Sequence, residues 1–131
     1  MIMKTIKYVD YDGVERSESF FFNLSKAELV SMDFEVEGGF KKKLEKVIES
    51  QNQKELIEIF KDIIFRSYGE KSADGRRFIK SKEISEAFTQ TEAYSELFME
   101  LATDAAAAEA FIKGIMPQEV VKEALANPNN R

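Results

Sequence analysis

Hydrophobic and polar residues alternate along the start of the chain, which predicts a β-hairpin over about residues 3–22. The Asp12-Gly13 dipeptide can adopt the positive φ values of a two-residue hairpin loop. With this loop, the face that we expect to be packed carries Met3, Val9, Tyr11, Val14, Phe20 and Phe22. The opposite face has fewer apolar side chains, namely Ile6, Tyr8 and Phe21. A register shift of one residue would reverse this assignment.

After the hairpin, apolar residues recur at helical spacing, which predicts a mostly helical remainder. Ser25 and Glu28 match a capping box, so a first helix should run from about Ser25 to Met32, followed by a linker or a short extended piece over residues 33–39. Further helices are predicted over about residues 40–50, 56–65, 82–90, 92–102 and 104–116, with a last turn over 118–126.

Breaks in the helical pattern come at residues with turn or cap preferences. Gln51 and Asn52 separate two helices, and the helix after them has the widest apolar surface, so we expect it to be the most buried. Within residues 66–80, Gly69 suits a helix C-cap and Asp74-Gly75 suits a tight turn.

The predicted fold is α+β, with an N-terminal β-hairpin followed by a bundle of about five helices, with or without a third short strand. The length of 131 residues favours a single domain, which we place over residues 1–126. Residues 127–131 (NPNNR) are predicted to be a flexible tail.

Composition narrows the chemistry that this chain can perform. It has no cysteine and no histidine, which excludes disulfides, Cys/His zinc sites and nucleophiles activated by histidine. A net charge of −5 argues against nucleic acid as a partner. No apolar run reaches the ~18 residues of a membrane helix, and no signal-peptide pattern follows the first residues. We therefore expect a soluble intracellular protein without a membrane partner.

Candidate catalytic and ligand motifs are weak. The glycines of residues 67–77 lack P-loop spacing, so a turn with solvated charges is favoured over a phosphate site. The same reading is favoured for the nearby arginines, Arg76 and Arg77, over contact with an acidic partner or nucleic acid. Two carboxylate sets, at residues 33–37 and 92–100, are expected to be solvated. We predict no catalytic residue, cofactor or metal.

Aromatic residues and methionines form the more informative part of the composition. The chain has eleven phenylalanines and five methionines but no tryptophan, so its apolar side chains can adapt to different packing partners. Phe21 stands out, because its neighbours Ser17 and Ser19 are polar and the hairpin alone cannot bury its ring. The candidate partner-binding residues are Phe21, Phe22, Phe88, Tyr94, Phe98 and Met99. For each of them, packing in the core is the alternative to partner binding.

Several long stretches of this sequence are similar to a known family. They are residues 21–29 (FFNLSKAEL), 67–81 (SYGEKSADGRRFIKS), 88–104 (FTQTEAYSELFMELATD) and 111–117 (FIKGIMP). Together they resemble the tail assembly chaperones of bacteriophages with long, non-contractile tails, the siphovirus type. The resemblance extends from about Thr5 to Pro117.

The resemblance implies a non-enzymatic chaperone that acts in the bacterial host cytoplasm and is absent from the mature virion. Such a protein would bind the tape measure protein, keep it soluble and yield it to the major tail protein during tube polymerisation. A longer form made by translational frameshifting is also implied, and self-association stays open. The alternatives are a structural virion component, such as a head–tail connector or tail-completion protein, and a small host-directed regulator.

Overall fold

The computed structural model describes residues 1–117, which form a four-stranded antiparallel sheet and six helices. In chain order the elements are β1 (Ile2–Val9), β2 (Glu15–Phe22), α1 (Lys26–Glu35), α2 (Phe40–Ser50), α3 (Gln53–Ser67), β3 (Tyr68–Lys71), β4 (Phe78–Ile79), α4 (Lys82–Thr89), α5 (Glu92–Thr103) and α6 (Ala105–Ile115). The predicted α+β class is confirmed, with one helix more than the approximate count. The predicted last turn and tail, at residues 118–131, lie outside the described residues.

The first hairpin closes through a three-residue loop rather than the predicted two-residue loop. The Asp10 N–H donates to the Val14 carbonyl at 2.9 Å, and the Gly13 N–H donates to the Asp10 carbonyl at 3.0 Å. The Asp10 carboxylate also accepts from the N–H groups of Asp12 and Val14, both at 2.9 Å. These bonds, with Gly13 at φ +79°, favour the longer loop.

This loop shifts the strand register by one residue, so the predicted packed face is wrong for four residues. Met3, Val9, Tyr11 and Val14 are exposed, with Met3 at 56% and Val9 at 51%. The face that packs against the helices carries Ile2, Ile6, Tyr8, Phe20 and Phe22. The structure therefore confirms Phe20 and Phe22 alone from the predicted set.

A second hairpin, missed by the sequence prediction, extends the sheet in the order β1-β2-β3-β4. Gly69 lies in β3 opposite Phe21, so its prediction as a helix C-cap is wrong. A Cβ at Gly69 would lie 2.6 Å from a ring carbon of Phe78 and 2.9 Å from the Ile79 carbonyl oxygen. The predicted turn is confirmed by Gly75, whose φ is +73°.

Local capping signals place most helix starts where they were predicted. The Glu28 N–H donates to Ser25 Oγ at 3.1 Å, and the Ser25 N–H donates to Glu28 Oε1 at 2.9 Å. Asp104 accepts from the first turn of α6, and Gln51 adopts the left-handed conformation between α2 and α3. Two boundaries differ. Helix α1 continues past Met32 into the predicted linker, and α3 begins at Gln53, about one turn before its predicted start at residue 56.

The core lies between the packed face of the sheet and the helices. Helix α3 buries five residues, more than any other described helix, as its wide apolar surface predicts: Ile59, Phe60, Ile63, Ile64 and Ser67. Helix α5 packs along β1, and Gly114 of α6 comes within contact of the Ile2 side chain. Within residues 1–117, no helix is long and apolar enough to cross a membrane.

Candidate partner-binding surfaces

Four of the six predicted contact residues meet in one row of aromatic rings inside the molecule. The ring centroids are 5.7 Å apart for Phe22 and Phe88, 5.9 Å for Phe88 and Tyr94, and 6.0 Å for Tyr94 and Phe98. Phe22 is completely buried and Phe88 nearly so, whereas Tyr94 and Phe98 are half-buried. In this conformation Phe22 and Phe88 offer no surface to a partner.

Tyr68 joins this row although the sequence prediction did not select it. Its ring stacks on Phe88 at 4.3 Å and 9°. Burial raises the pKa of Tyr68, with a smaller contribution from the charge of Glu70, and burial also raises the pKa of Tyr94. Both phenols therefore stay uncharged to a higher pH than a solvent-exposed tyrosine does.

The other two predicted contact residues lie on separate surfaces. Phe21 is half-buried on the face of the sheet that points away from the helices, opposite Met3 in the register. The Lys71 ammonium lies 5.3 Å from the centroid of the Phe21 ring. Met99 is 53% exposed on α5. The six residues therefore do not form one continuous surface.

Helix α1 carries an apolar ridge, which we define as Val30 and Phe34. The two residues are one helical turn apart, with Val30 54% exposed and Phe34 89% exposed. The buried residue of α1, Met32, lies on the opposite side of the helix. The sequence prediction missed this ridge because it ended the helix at Met32, although the spacing of Val30 and Phe34 was visible.

A groove of about 670 Å³ separates α2 from α3 next to the end of α1. Three aliphatic side chains line it, namely Val36, Val47 and Ile59. Lysines line the α2 side, at Lys42, Lys43 and Lys46. Acids line the α3 side, at Glu55, Glu58 and Asp62. Among the described residues, no ion pair within 4.0 Å joins the two sides, so the groove is open and has walls of opposite charge.

Lys80 joins the end of the sheet to α1 and α3. Its ammonium donates to the carbonyls of Asn23 at 2.6 Å and Arg66 at 2.8 Å, and to the Glu28 carboxylate at 2.6 Å. Burial raises the pKa of Glu28, but hydrogen bonds from Lys80 and the Ser25 N–H outweigh it and hold this pKa below its ordinary value. This contact fixes the position of α1 and its apolar ridge.

The acidic row of α5, defined as Glu92, Glu96 and Glu100, lies beside β1. Glu100 accepts a hydrogen bond from Lys4 Nζ at 2.7 Å. A side-chain hydrogen bond to Glu92 raises the pKa of Tyr11. Within residues 1–117, no group of three or more acidic side chains is arranged to hold a metal ion.

Comparison with known proteins identifies the family of this chain. No similar protein is found among curated proteins or among solved structures. A family model described as phage tail assembly chaperone matches residues 1–131, the whole chain. This match agrees with the resemblance carried by residues 21–29, 67–81, 88–104 and 111–117. The chain therefore belongs to the phage tail assembly chaperone family.

Proposed function

We propose that this protein binds the tape measure protein of its phage, keeps it soluble and hands it to the major tail protein during tube polymerisation. The action is binding and release without catalysis. Family membership supports the assembly role. The observation that carries client binding is the apolar ridge of α1, where Phe34 is 89% exposed.

The ridge has the geometry that an amphipathic helical client requires. Side chains at i and i+4 on α1 can insert between the apolar residues of a partner helix. The neighbouring groove between α2 and α3 adds aliphatic side chains between charged walls. The net charge of −5 keeps the protein soluble while this apolar surface stays exposed.

Among the residues predicted from sequence, four remain proposed client contacts because each retains exposed surface, namely Phe21, Tyr94, Phe98 and Met99. For the interior residues Phe22 and Phe88, we propose that they support the body that presents these surfaces. We also propose that the phage has a long, non-contractile tail of the siphovirus type and that the protein acts in the host cytoplasm. It is then absent from the mature virion, and a longer form is made by translational frameshifting.

Co-expression with the tape measure protein of the same phage tests this proposal. Wild-type protein should keep the tape measure protein soluble and co-purify with it. The double variant Val30→Ser, Phe34→Ser should lose most of this binding, because it removes the ridge. The matched control, Tyr11→Ser with Val14→Ser, also removes one exposed aromatic and one exposed valine side chain, here from the hairpin, and should bind normally.

Two results would contradict the proposed client binding or replace it with a structural role. If neither this chain nor a version carrying the longer C-terminal extension solubilises the tape measure protein, client binding is contradicted. Recovery of this chain from purified virions at fixed stoichiometry would instead support a structural component of the particle.

Phe21 gives a residue-level test of the proposed contacts. Phe21→Ser should weaken tape measure binding more than it lowers the melting temperature, because the ring is only half-buried on the outer face of the sheet. Pull-down and thermal denaturation of the same preparation measure both effects. A large loss of stability with unchanged binding would show that Phe21 acts only in packing.

A further inference from the structure

Strand β1 is an edge strand whose outward peptide groups have no backbone partner among the described residues. It pairs with β2 on one side, and the strand order leaves its other side without a neighbour. The hydrogen bond from the Asp10 N–H to the Val14 carbonyl shows that these two residues form a hydrogen-bonded pair. In an antiparallel pair of strands, every second residue pair is of this kind. Even-numbered residues of β1 therefore bond to β2, and odd-numbered residues direct their N–H and C=O groups outward.

Strand β2 shows the same alternation from its other side. The N–H of Asn23, an odd-numbered residue, donates to the Ser67 carbonyl at 2.7 Å, in line with the pairing of β2 and β3. Even-numbered residues of β2 are thereby left for β1, as the register requires. The free edge of β1 thus comprises the outward groups of Met3, Thr5, Lys7 and Val9.

The space between this part of the hairpin and α5 is open and contains the Glu96 carboxylate. A cavity of about 640 Å³ is lined by residues of both hairpin strands and by Glu96 of α5, and its charged residues are Lys7, Glu15, Arg16 and Glu96. Arg16 is paired with Asp10. Glu96 forms no hydrogen bond or ion pair with another residue of the described part, whereas Glu100 is paired with Lys4. Side chains of an added strand that point toward α5 would therefore meet negative charge.

We propose that the edge of β1 binds an extended, basic segment of an assembly partner as a fifth strand. Backbone hydrogen bonds to the free edge supply affinity, as in other cases of strand addition. Lysine or arginine on the side of the segment that faces α5 pairs first with Glu96, the member of the acidic row without a partner among the described residues, and this pairing selects a basic segment. Residues of the segment on the other face pack beside Met3 and Val9, which are half exposed.

Charge argues against a second copy of this chain as the occupant. Antiparallel pairing of β1 with the β1 of another copy would bring two acidic rows, each containing Glu92, Glu96 and Glu100, to one junction. The like charges of the two rows repel each other and destabilise the pair of copies. A basic segment removes this repulsion, so it fits the edge better than self-association does.

Amide exchange in the full-length protein, measured by NMR, tests the edge directly. In the free protein the Thr5 and Lys7 amides should exchange fast, whereas the Ile6 and Tyr8 amides, which bond to β2, should be protected. Protection of Thr5 and Lys7 in the free protein overturns the proposal. Loss of that protection on dilution would identify a second copy as the occupant, and loss on deleting residues 118–131 would identify the chain's own C-terminal segment.

The binding probe is a synthetic peptide as long as β1, in which threonine or valine alternates with lysine. Its addition should slow exchange at Thr5 and Lys7. The same peptide with alternate amides N-methylated should not bind, because it cannot form the ladder. Equal binding of a version with glutamate for lysine would contradict the basic partner, and absence of binding by the lysine peptide would contradict the whole site.

Proline at Thr5 is the matched protein variant. Thr5→Pro removes one outward N–H without removing a bond to β2, so the domain should fold while peptide affinity falls at least about fivefold. Thr5→Ala removes the same hydroxyl, which bonds to Ser19, and should bind like the wild type. Equal affinities for folded Thr5→Pro and Thr5→Ala would overturn the proposal.

This surface is separate from the apolar ridge on α1. Val30→Ser with Phe34→Ser should therefore leave peptide binding unchanged, and Thr5→Pro should leave tape measure solubility unchanged unless the basic segment belongs to that protein. Failure of the edge site is thus distinguishable from failure of the proposed chaperone function.

Discussion

The inner face of the sheet and the α1–α3 end of the molecule use the same kinds of apolar residue in opposite ways. At the inner face, Phe22 contacts the rings of Phe88 and Phe111 and has no exposed surface. At the other end, Phe34 is almost fully exposed beside an open groove. Substitutions at the inner face should therefore change stability, whereas those on the ridge should change binding.

The largest effect should come from Phe22→Ala. Removing this ring leaves a cavity bordered by several aromatic side chains and should reduce the free energy of unfolding by about 3–5 kcal/mol. Urea denaturation followed by circular dichroism measures the change. Phe22→Leu is the matched control and should cost less than the alanine variant. A loss below about 1 kcal/mol for Phe22→Ala would contradict the packing of the inner face.

Lys80 lies at the junction of the two regions and should have the next largest effect. Lys80→Met removes the donor for the carbonyls of Asn23 and Arg66 and should lower the free energy of unfolding by about 2 kcal/mol. Lys82→Met is the control, because Lys82 is exposed and forms only a surface pair with Glu86. Equal stability of the two variants would show that Lys80 does not hold the junction.

The acid dependence of stability should show the contribution of Glu28 at the same junction. Its folded-state pKa is lowered, so its stabilisation is present above the ordinary value of 4.5 and is lost as the pH falls through the folded-state pKa. Glu28→Gln should therefore be less stable than the wild type at pH 7, and the difference should shrink in acid. A constant difference in unfolding free energy across this range would contradict the assignment.

The smallest effect on stability should come from Phe34→Ser. Because the side chain is 89% exposed, the free energy of unfolding should change by less than about 0.5 kcal/mol. Thermal and urea denaturation measure the change, and Met32→Ser, on the buried side of α1, is a control that should be clearly destabilised. A large loss for Phe34→Ser would show that the ridge is covered within the protein.

Features set by neighbours in sequence were predictable. The capping box at Ser25, the cap at Asp104 and the break at Gln51 each depend on hydrogen bonds or backbone preferences within a few residues. Helical periodicity likewise predicted α3 as the most buried helix. The long matching stretches also indicated the family that the comparison then showed.

Features that depend on distant contacts were not predictable in the same way. The pairing of Phe22 with Tyr68 joins residues far apart in the chain, so a third strand was left open without a position and Gly69 was misassigned as a helix cap. The sequence correctly placed Phe22 on the packed face and Phe21 on the other face of β2, but it exchanged the two faces of β1, because a one-residue register shift does so.

Local sequence is enough to specify the α+β composition, most helix starts, the absence of cysteine and histidine chemistry, and membership of a phage tail assembly chaperone family. Tertiary structure alone decided which aromatic rings are interior, that Val30 and Phe34 form an exposed ridge, and that β1 ends the sheet beside acidic residues. The physical reason is that hydrophobicity belongs to a residue, whereas burial and an unpaired strand edge depend on which other elements pack against it.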